Sequence, residues 1–171
     1  MKPEIKYGLC TGAGLCLWLI AEYLLGFHTT RLEIGEYSGY FSCIVPLVML
    51  FLMLKLKRDA ALGGRLDLGQ GIWSGVAASF IAGLIACGFM VVYNQFINPG
   101  WLDNALDWKV AQMRAQGLAE PDIRRQITFS RQANSPAGLI ATTLAGMTLM
   151  GAIFSLGLTL ILRRRPRPST I

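Results

Sequence analysis

The chain has 171 residues, of which 53% are hydrophobic and 15% are charged. Soluble domains carry about 25% charged residues, so this composition excludes an ordinary soluble enzyme, a disordered chain and a small disulfide scaffold. Four membrane helices of about 20 residues each would occupy close to half of the chain and account for the apolar excess. The composition therefore predicts an all-α integral membrane protein with a single domain.

Four apolar stretches follow one another, at about residues 7–27, 37–56, 69–96 and 136–162. Each is long enough to cross about 30 Å of hydrocarbon. Scattered glycines and the lack of period-2 alternation favour helices over strands. The stretches thus predict a four-helix membrane bundle. The first stretch is long, contains Glu22 and lacks a small-residue cleavage site, so we expect it to remain as a helix rather than be removed as a signal peptide.

The polar segment at residues 98–135 is too long for a structureless connection. Gly117 is typical of a helix C-terminus, and the run Glu120–Asp122 is typical of a helix start, because proline and acidic residues favour the first turn. Apolar residues recur before that glycine at helical spacing, namely Leu102, Leu106, Val110 and Met113. We therefore predict a helical hairpin between the third and fourth spans, and Ser135–Pro136 as the start of the fourth.

Basic residues are unevenly distributed over the loops. If both termini are cytoplasmic, ten of the sixteen Lys and Arg residues fall in cytoplasmic segments. The other six lie mainly in the long insert, where acidic residues balance them. The positive-inside rule therefore predicts cytoplasmic termini and an extracytoplasmic insert. The basic tail Arg163–Arg167 fits a topology signal and an anionic-lipid anchor better than a contact with nucleic acid.

Short motifs around the second loop carry a family resemblance. They are the runs Lys57–Asp59 and Leu62–Gly64, followed by Leu68–Gln70 and Gly75. Together with the order of spans and insert, they resemble the bacterial integral-membrane family called domain of unknown function 4199. The resemblance implies four transmembrane helices, an insert between the third and fourth, and a place in the bacterial inner membrane. The family name implies no activity and assigns no catalytic residue.

Glu22 is the charged residue deepest within a predicted span. An unpaired carboxylate there costs several kcal/mol if charged, so Glu22 should face the protein interior. Pro46 leaves the carbonyl of Ser42 without its helical donor and is expected to kink the second span. Matched by depth, the predicted intramembrane polar layer consists of Glu22, Ser42, Asn94 and Thr142.

Two interpretations of this layer remain open. In the first, the layer binds a proton or a ligand, because burial disfavours the charged form of a carboxyl group. In the second, Glu22 makes a structural hydrogen bond, or extends to the membrane surface and meets Arg31.

Small residues recur at every fourth position of the third stretch, at Gly71, Gly75, Ser79 and Gly83. The fourth stretch carries two pairs at the same spacing, Thr142 with Gly146 and Gly151 with Ser155. Such stripes let helices approach closely. They favour packing within one chain, and self-association through the same faces is the alternative.

No metal, cofactor or catalytic site is indicated. The four cysteines lie in predicted spans without a Cys-x-x-Cys pair, which favours a filling role over a zinc or redox site. The single histidine, His28, lies on a loop, and no serine has a nucleophile-elbow motif.

These features predict a non-enzymatic accessory or interaction protein of the inner membrane, with the bilayer and a protein as its partners. The insert is its sizeable part outside the bilayer, so a contact surface is predicted around Trp101, Trp108 and Ile127. The two tryptophans could instead lie at the membrane surface or pack within the hairpin. The alternative function is a subunit of an oligomeric transporter or channel for a small solute or ion, with Glu22 as its protonatable site.

Overall fold

The computed structural model describes residues 1–61 and 66–163. Over these residues the fold is all-α and contains no strand. The helices α1 to α7, in chain order, are Pro3–Leu24, Leu32–Phe41, Ile44–Leu56, Leu68–Val92, Trp101–Ala115, Glu120–Ala133 and Pro136–Leu162. Two π-helical turns, Lys57–Ala61 and Tyr93–Ile97, extend α3 and α4.

Four segments are long and apolar enough to cross a membrane, namely Pro3–Leu24, Leu32–Ala60, Leu68–Ile97 and Pro136–Leu162. The second includes α2 and α3, and the third includes α4 with its π turn. By length and composition these helices can span a membrane, in agreement with the sequence prediction. Helix α4 is central, because it packs against both α1 and α7, and α3 also contacts those two helices.

Polar contacts join the helices at the end where α1 begins and α7 ends, which we call the terminal end. Lys57 Nζ donates to Ser74 Oγ at 2.6 Å and pairs with the carboxylate of Glu4. Arg58 Nη1 donates to the carbonyl of Leu162 at 3.3 Å and so satisfies a free acceptor in the last turn of α7. The opposite end, with residues 25–31 and 93–135, is called the insert end.

Small residues make the contact between α4 and α7. A Cβ added at Gly71 would overlap Thr159, one at Gly75 would overlap Ser155, and one at Gly151 would overlap Ser79. The two backbones therefore approach too closely for larger side chains. The stripe predicted on the third span, with the pair of Gly151 and Ser155, thus packs within the chain.

The other small-residue pair of α7 lies on the outer surface of the helix. Thr142 is exposed, and its hydroxyl donates to the carbonyl of Gly138 at 2.8 Å. A Cβ added at Gly146 would meet nothing within 4 Å. Within the described chain this face is therefore free of packing.

The second membrane segment is interrupted between α2 and α3. The break falls at Ser42 and Cys43, one turn before the buried Pro46. The carbonyl of Ser42, which a proline at position 46 cannot bond, accepts instead from the backbone N–H of Val45 at 3.2 Å. The proline thus has the effect that the sequence predicts, and the helix restarts on a tighter turn.

Helices α5 and α6 contact each other, and we call residues 98–135 the insert. Gly117 ends α5 with φ +76°, in the left-handed region that favours glycine. The ion pair of Asp103 with Arg131, at 3.0 Å, joins the start of α5 to the end of α6. Apolar side chains fill the space between the helices, namely Leu106, Met113 and Ile123. At the end of the insert, Ser135 Oγ accepts from the N–H of Gly138 at 3.2 Å and caps α7 as predicted.

The contact between α4 and α7 leads to a test of stability. We expect Gly75→Ala to destabilise the protein by about 1–3 kcal/mol, because the added methyl group must displace Ser155. The matched control is Gly146→Ala, where the methyl group meets nothing and helix propensity improves by up to about 1 kcal/mol. Thermal unfolding in detergent measures both variants. Equal unfolding temperatures for the two would contradict this packing.

Candidate functional site at the insert end

The carboxylate of Glu22 is the centre of a buried polar cluster. Glu22 lies in the last turns of α1 and is 6% exposed. Its Oε1 accepts from Trp18 Nε1, one helical turn earlier, at 2.7 Å, and from Ser38 Oγ of α2. Its Oε2 lies 3.3 Å from Nε2 of His28. Three donors from two helices and a loop therefore surround one carboxylate.

His28 reaches this position because the loop after α1 turns back over the helix end. Gly26, with φ +78°, makes the reversal, and the N–H of Phe27 donates to the carbonyl of Glu22 at 2.9 Å. The loop then lies against α2 so closely that a Cβ at Gly35 would overlap the carbonyl oxygen of Phe27. The imidazole of His28 is consequently buried, with 7% of its surface exposed.

The second nitrogen of His28 connects the cluster to α4 and the insert. Nδ1 lies 2.6 Å from the hydroxyl oxygen of Tyr93, which is fully buried. Asn98 Nδ2 donates to the same oxygen at 3.3 Å. The π turn brings these two residues together, since the N–H of Asn98 also bonds the carbonyl of Tyr93 at 2.8 Å. Trp101, the first residue of α5, stands beside the imidazole with ring centroids 5.9 Å apart.

We call Trp18, Glu22, His28, Ser38, Tyr93 and Asn98 the Glu22 cluster. Its donors point in one direction if His28 carries its proton on Nε2. Asn98 then donates to Tyr93, Tyr93 donates to His28, and His28 donates to Glu22. This tautomer follows from the hydrogen-bond network. The cluster links α1, α2, α4 and the insert through one continuous array.

A second proton on His28 would disturb this array. Both ring nitrogens would then donate, so the Tyr93 hydroxyl would receive two donors and lose its own acceptor. Burial lowers the pKa of His28 below its usual 6.5, and the opposing effects of the Glu22 charge and hydrogen bond are smaller. The imidazole is therefore neutral at pH 7.

Two cavities flank the contact between Glu22 and His28. The first, of about 240 Å³, lies at membrane depth between α1, α2 and α4, with Glu22 and Ser42 in a wall otherwise dominated by apolar groups such as Phe89. The second, of about 200 Å³, lies toward the insert and is lined by His28, Trp101 and Trp108 among others. The pair thus stands between a membrane-side and an insert-side cavity.

Comparison with known proteins identifies the family. Residues 6–164 match the profile of a family described as protein of unknown function (DUF4199). The chain belongs to this DUF4199 family. The resemblance seen in the sequence is thereby confirmed, and the match includes the whole Glu22 cluster. No curated protein and no solved structure matches the chain. Of the motif residues that carried the resemblance, Leu62–Gly64 lie outside the described residues.

The DUF4199 protein assembles only part of the polar layer that the sequence predicts. Glu22 has a polar environment, as predicted. Its hydroxyl donor is Ser38 instead of Ser42, and the loop residue at its second oxygen is His28 instead of Arg31. Ser42 donates to the carbonyl of Gly39 and shares only the membrane-side cavity with Glu22. Ser42 lies just after the end of α2, and its hydroxyl makes no hydrogen bond to the carboxylate within the described chain.

The two remaining layer residues lie apart from the cluster. Thr142 is on the exposed face of α7, and its hydroxyl bonds its own helix. Asn94 is half-buried next to Tyr93 and contributes no hydrogen bond to Glu22 in the described chain. Equal depth in a membrane does not give equal orientation, because successive helical residues point 100° apart.

Sequence reasoning missed five cluster members. Trp18 and Glu22 are four residues apart, a spacing that brings side chains together on a helix and was a usable signal. His28 gave no such signal, because a histidine followed by the polar loop residues 29–31 resembles a solvated one. Its contact with Tyr93 joins residues 65 positions apart.

The predicted contact residues of the insert are partly used within the chain. Trp101 packs beside His28, and Trp108 lines a cleft with the loop before α2. Ile127 is half-buried, whereas Phe129 on α6 is 71% exposed. Among the described residues, no three His, Cys, Asp or Glu side chains are grouped to hold a metal ion.

The lowered pKa of His28 predicts how stability depends on pH. Above pH 6.5 both the folded and the unfolded chain hold a neutral His28, so this residue contributes no pH dependence. Below that value the unfolded chain takes up a proton first, and the free energy of unfolding falls by up to about 1.4 kcal/mol per pH unit until the folded form also titrates. Urea or thermal unfolding measured between about pH 5 and 7.5 gives this slope, because that range includes the ordinary histidine pKa of about 6.5.

The control is His28→Gln, which replaces the imidazole with a polar amide that cannot titrate. We expect the stability of this variant to vary less with pH than that of the wild type. Below about pH 6.5, the variant should take up about one proton fewer on unfolding. Glu22 and Tyr93 also face the imidazole, and both are retained in the variant. The difference between the variant and the wild type therefore reports the contribution of His28 itself. An unchanged slope would mean that His28 does not titrate differently on unfolding.

Proposed function

We propose that this protein is a non-enzymatic accessory protein of the bacterial inner membrane that contacts a partner protein through its insert. In this arrangement both termini are cytoplasmic and the insert is extracytoplasmic. The positive-inside rule supports this orientation, because Lys55, Lys57, Arg58 and Arg163 lie at the terminal end.

One observation carries the proposal. The start of the insert is attached to the rest of the protein, whereas its helix α6 presents an exposed aromatic side chain. Asn98 and Trp101 attach its start to the Glu22 cluster. On α6, Ile123 is buried against α5, whereas Phe129 is 71% exposed. An exposed aromatic side chain is typical of the centre of a binding surface.

The charges beside Phe129 indicate the chemistry of the partner. Arg125 lies one helical turn before Phe129, on the same face of α6, and is exposed. A partner that fits this surface offers an apolar pocket for the phenyl ring and acidic groups at its rim. The surface predicted from the sequence is thus moved from the tryptophans, which pack within the chain, toward Phe129.

Site-specific photo-crosslinking in cells tests this surface. With the photoreactive residue at Gln132, one turn after Phe129, we expect an adduct of defined mass. Phe129→Ser and Arg125→Glu should each lower its yield about tenfold, as expected for loss of a central aromatic contact or an opposite-charge contact. The matched control position is Ala111, exposed on α5.

Three outcomes separate the possibilities. A single heterologous adduct that depends on Phe129 supports the proposed partner. An adduct of twice the chain mass identifies self-association instead. Equal labelling from Gln132 and Ala111, or labelling that Phe129→Ser leaves unchanged, would contradict a binding surface at this position.

A second candidate function is favoured by the two cavities. A subunit of an oligomeric transporter or channel needs a solute site that opens to either side of a central barrier. The contact of Glu22 with His28 lies between the membrane-side and insert-side cavities, and it joins a carboxyl group to an imidazole. Glu22 would then serve as the protonatable site of the transport cycle.

A further inference from the structure

The charge of the Glu22 cluster is unbalanced when Glu22 is ionised. His28 is then a neutral donor, and Trp18 and Ser38 are neutral donors as well. Within the described chain, no Lys or Arg side chain lies at ion-pair distance from Glu22. A single negative charge buried at membrane depth is strongly unfavourable unless a positive charge joins it. A proton supplies that charge in the simplest case.

The membrane-side cavity offers room for a larger cation next to the same carboxylate. Its volume, about 240 Å³, lies below the range of about 300–1,000 Å³ for drug-sized ligand sites, so its occupant must be small. Trp18 and Phe89 line it with aromatic groups, which attract cations through their ring faces. The remaining wall is largely apolar, from side chains such as Leu15, Leu19 and Met90.

Glu22 and Ser42, two polar residues in the lining of this cavity, can both accept a hydrogen bond. A carboxylate has about four acceptor positions, and the three donors around Glu22 leave one of them unused. Ser42 donates its hydroxyl proton to the carbonyl of Gly39 at 2.6 Å, so its oxygen can accept from a ligand. The cavity thus combines one anion, one free hydroxyl oxygen and an apolar, partly aromatic wall.

We propose that the membrane-side cavity binds a small organic ammonium ion with apolar substituents, which lies against the carboxylate of Glu22. The charge of the cation then balances the charge of the buried carboxylate. The inference deepens the second candidate function, on which it rests, by naming the class of solute. An apolar lipid chain is the competing occupant, and it would leave the carboxylate uncompensated.

Equilibrium dialysis of the purified full-length protein in detergent tests the proposal with benzyltrimethylammonium as the probe. Its neutral isostere, neopentylbenzene, is the matched ligand. We expect the cation to bind at least tenfold more tightly than the neutral compound after correction for partition into detergent micelles. Equal binding of the two probes would identify a lipid-chain cavity and overturn the proposal.

Two variants locate the binding. Glu22→Gln should lower the affinity for the cation at least tenfold, whereas Glu33→Gln, which removes an exposed carboxylate of α2, should not change it. Because Glu22→Gln also alters a buried cluster, Ala86→Leu provides a second test. It fills the cavity without replacing a cluster residue and should also abolish binding. Wild-type affinity in a folded Ala86→Leu protein would contradict the assignment.

Transport is measured separately, so that the cation site and the transporter function can be rejected independently of each other. Proteoliposomes with a pH-sensitive dye inside report proton movement when benzyltrimethylammonium is added outside. Binding without proton movement would support the site and reject the transporter function. The lack of charge-selective binding in dialysis would reject the site, whatever the liposomes show.

Discussion

A carboxylate buried among apolar helices must be surrounded by donors, and this requirement organises the insert end of the protein. The donors of Glu22 come from its own helix, from α2 and from the loop between them. To bring His28 into contact, the loop has to fold back over the end of α1, and the imidazole must then find a partner for its second nitrogen. Tyr93 provides it, and thereby fixes the end of α4 and the start of the insert. Replacing the carboxylate alone would leave several buried donors without acceptors, which is more costly than losing a surface interaction.

The rest of the structure can be understood as two polar ends joined by a tightly packed middle. At the terminal end, Lys57 joins α1 to α4 and Arg58 caps α7. Between the ends, glycine and serine residues let α4 and α7 approach closely. The contact depends on the fit of these small residues, because an added side chain would overlap the facing helix. Because lipid provides no hydrophobic driving force between helices, close packing and hydrogen bonds must supply the stabilisation. Polar contacts therefore stabilise the two ends of the structure, and close packing of small residues stabilises the part between them.

The same cluster connects both proposed functions. It attaches the start of the insert through Asn98 and Trp101, and the insert carries the proposed contact surface. It also borders the membrane-side cavity, so a bound cation would change the charge that His28 experiences. The two proposals therefore depend on the same buried residues.

The sequence by itself determined the membrane class, the four apolar segments, the insert with its Gly117 and Ser135 signals, the stripe from Gly71 to Gly83 and the importance of Glu22. Each of these depends on hydropathy or on spacing within one helix, and such local properties can be read without knowing which helices are neighbours. Only the tertiary structure decided what surrounds Glu22. The partners come from a loop reversal at Gly26 and from a π turn at Tyr93, neither of which has a strong sequence signal. Ser38 rather than Ser42 meets the carboxylate, and hydropathy could not decide this, because the two serines lie one turn apart on a similar face of the chain and only the packing of α2 against α1 selects between them.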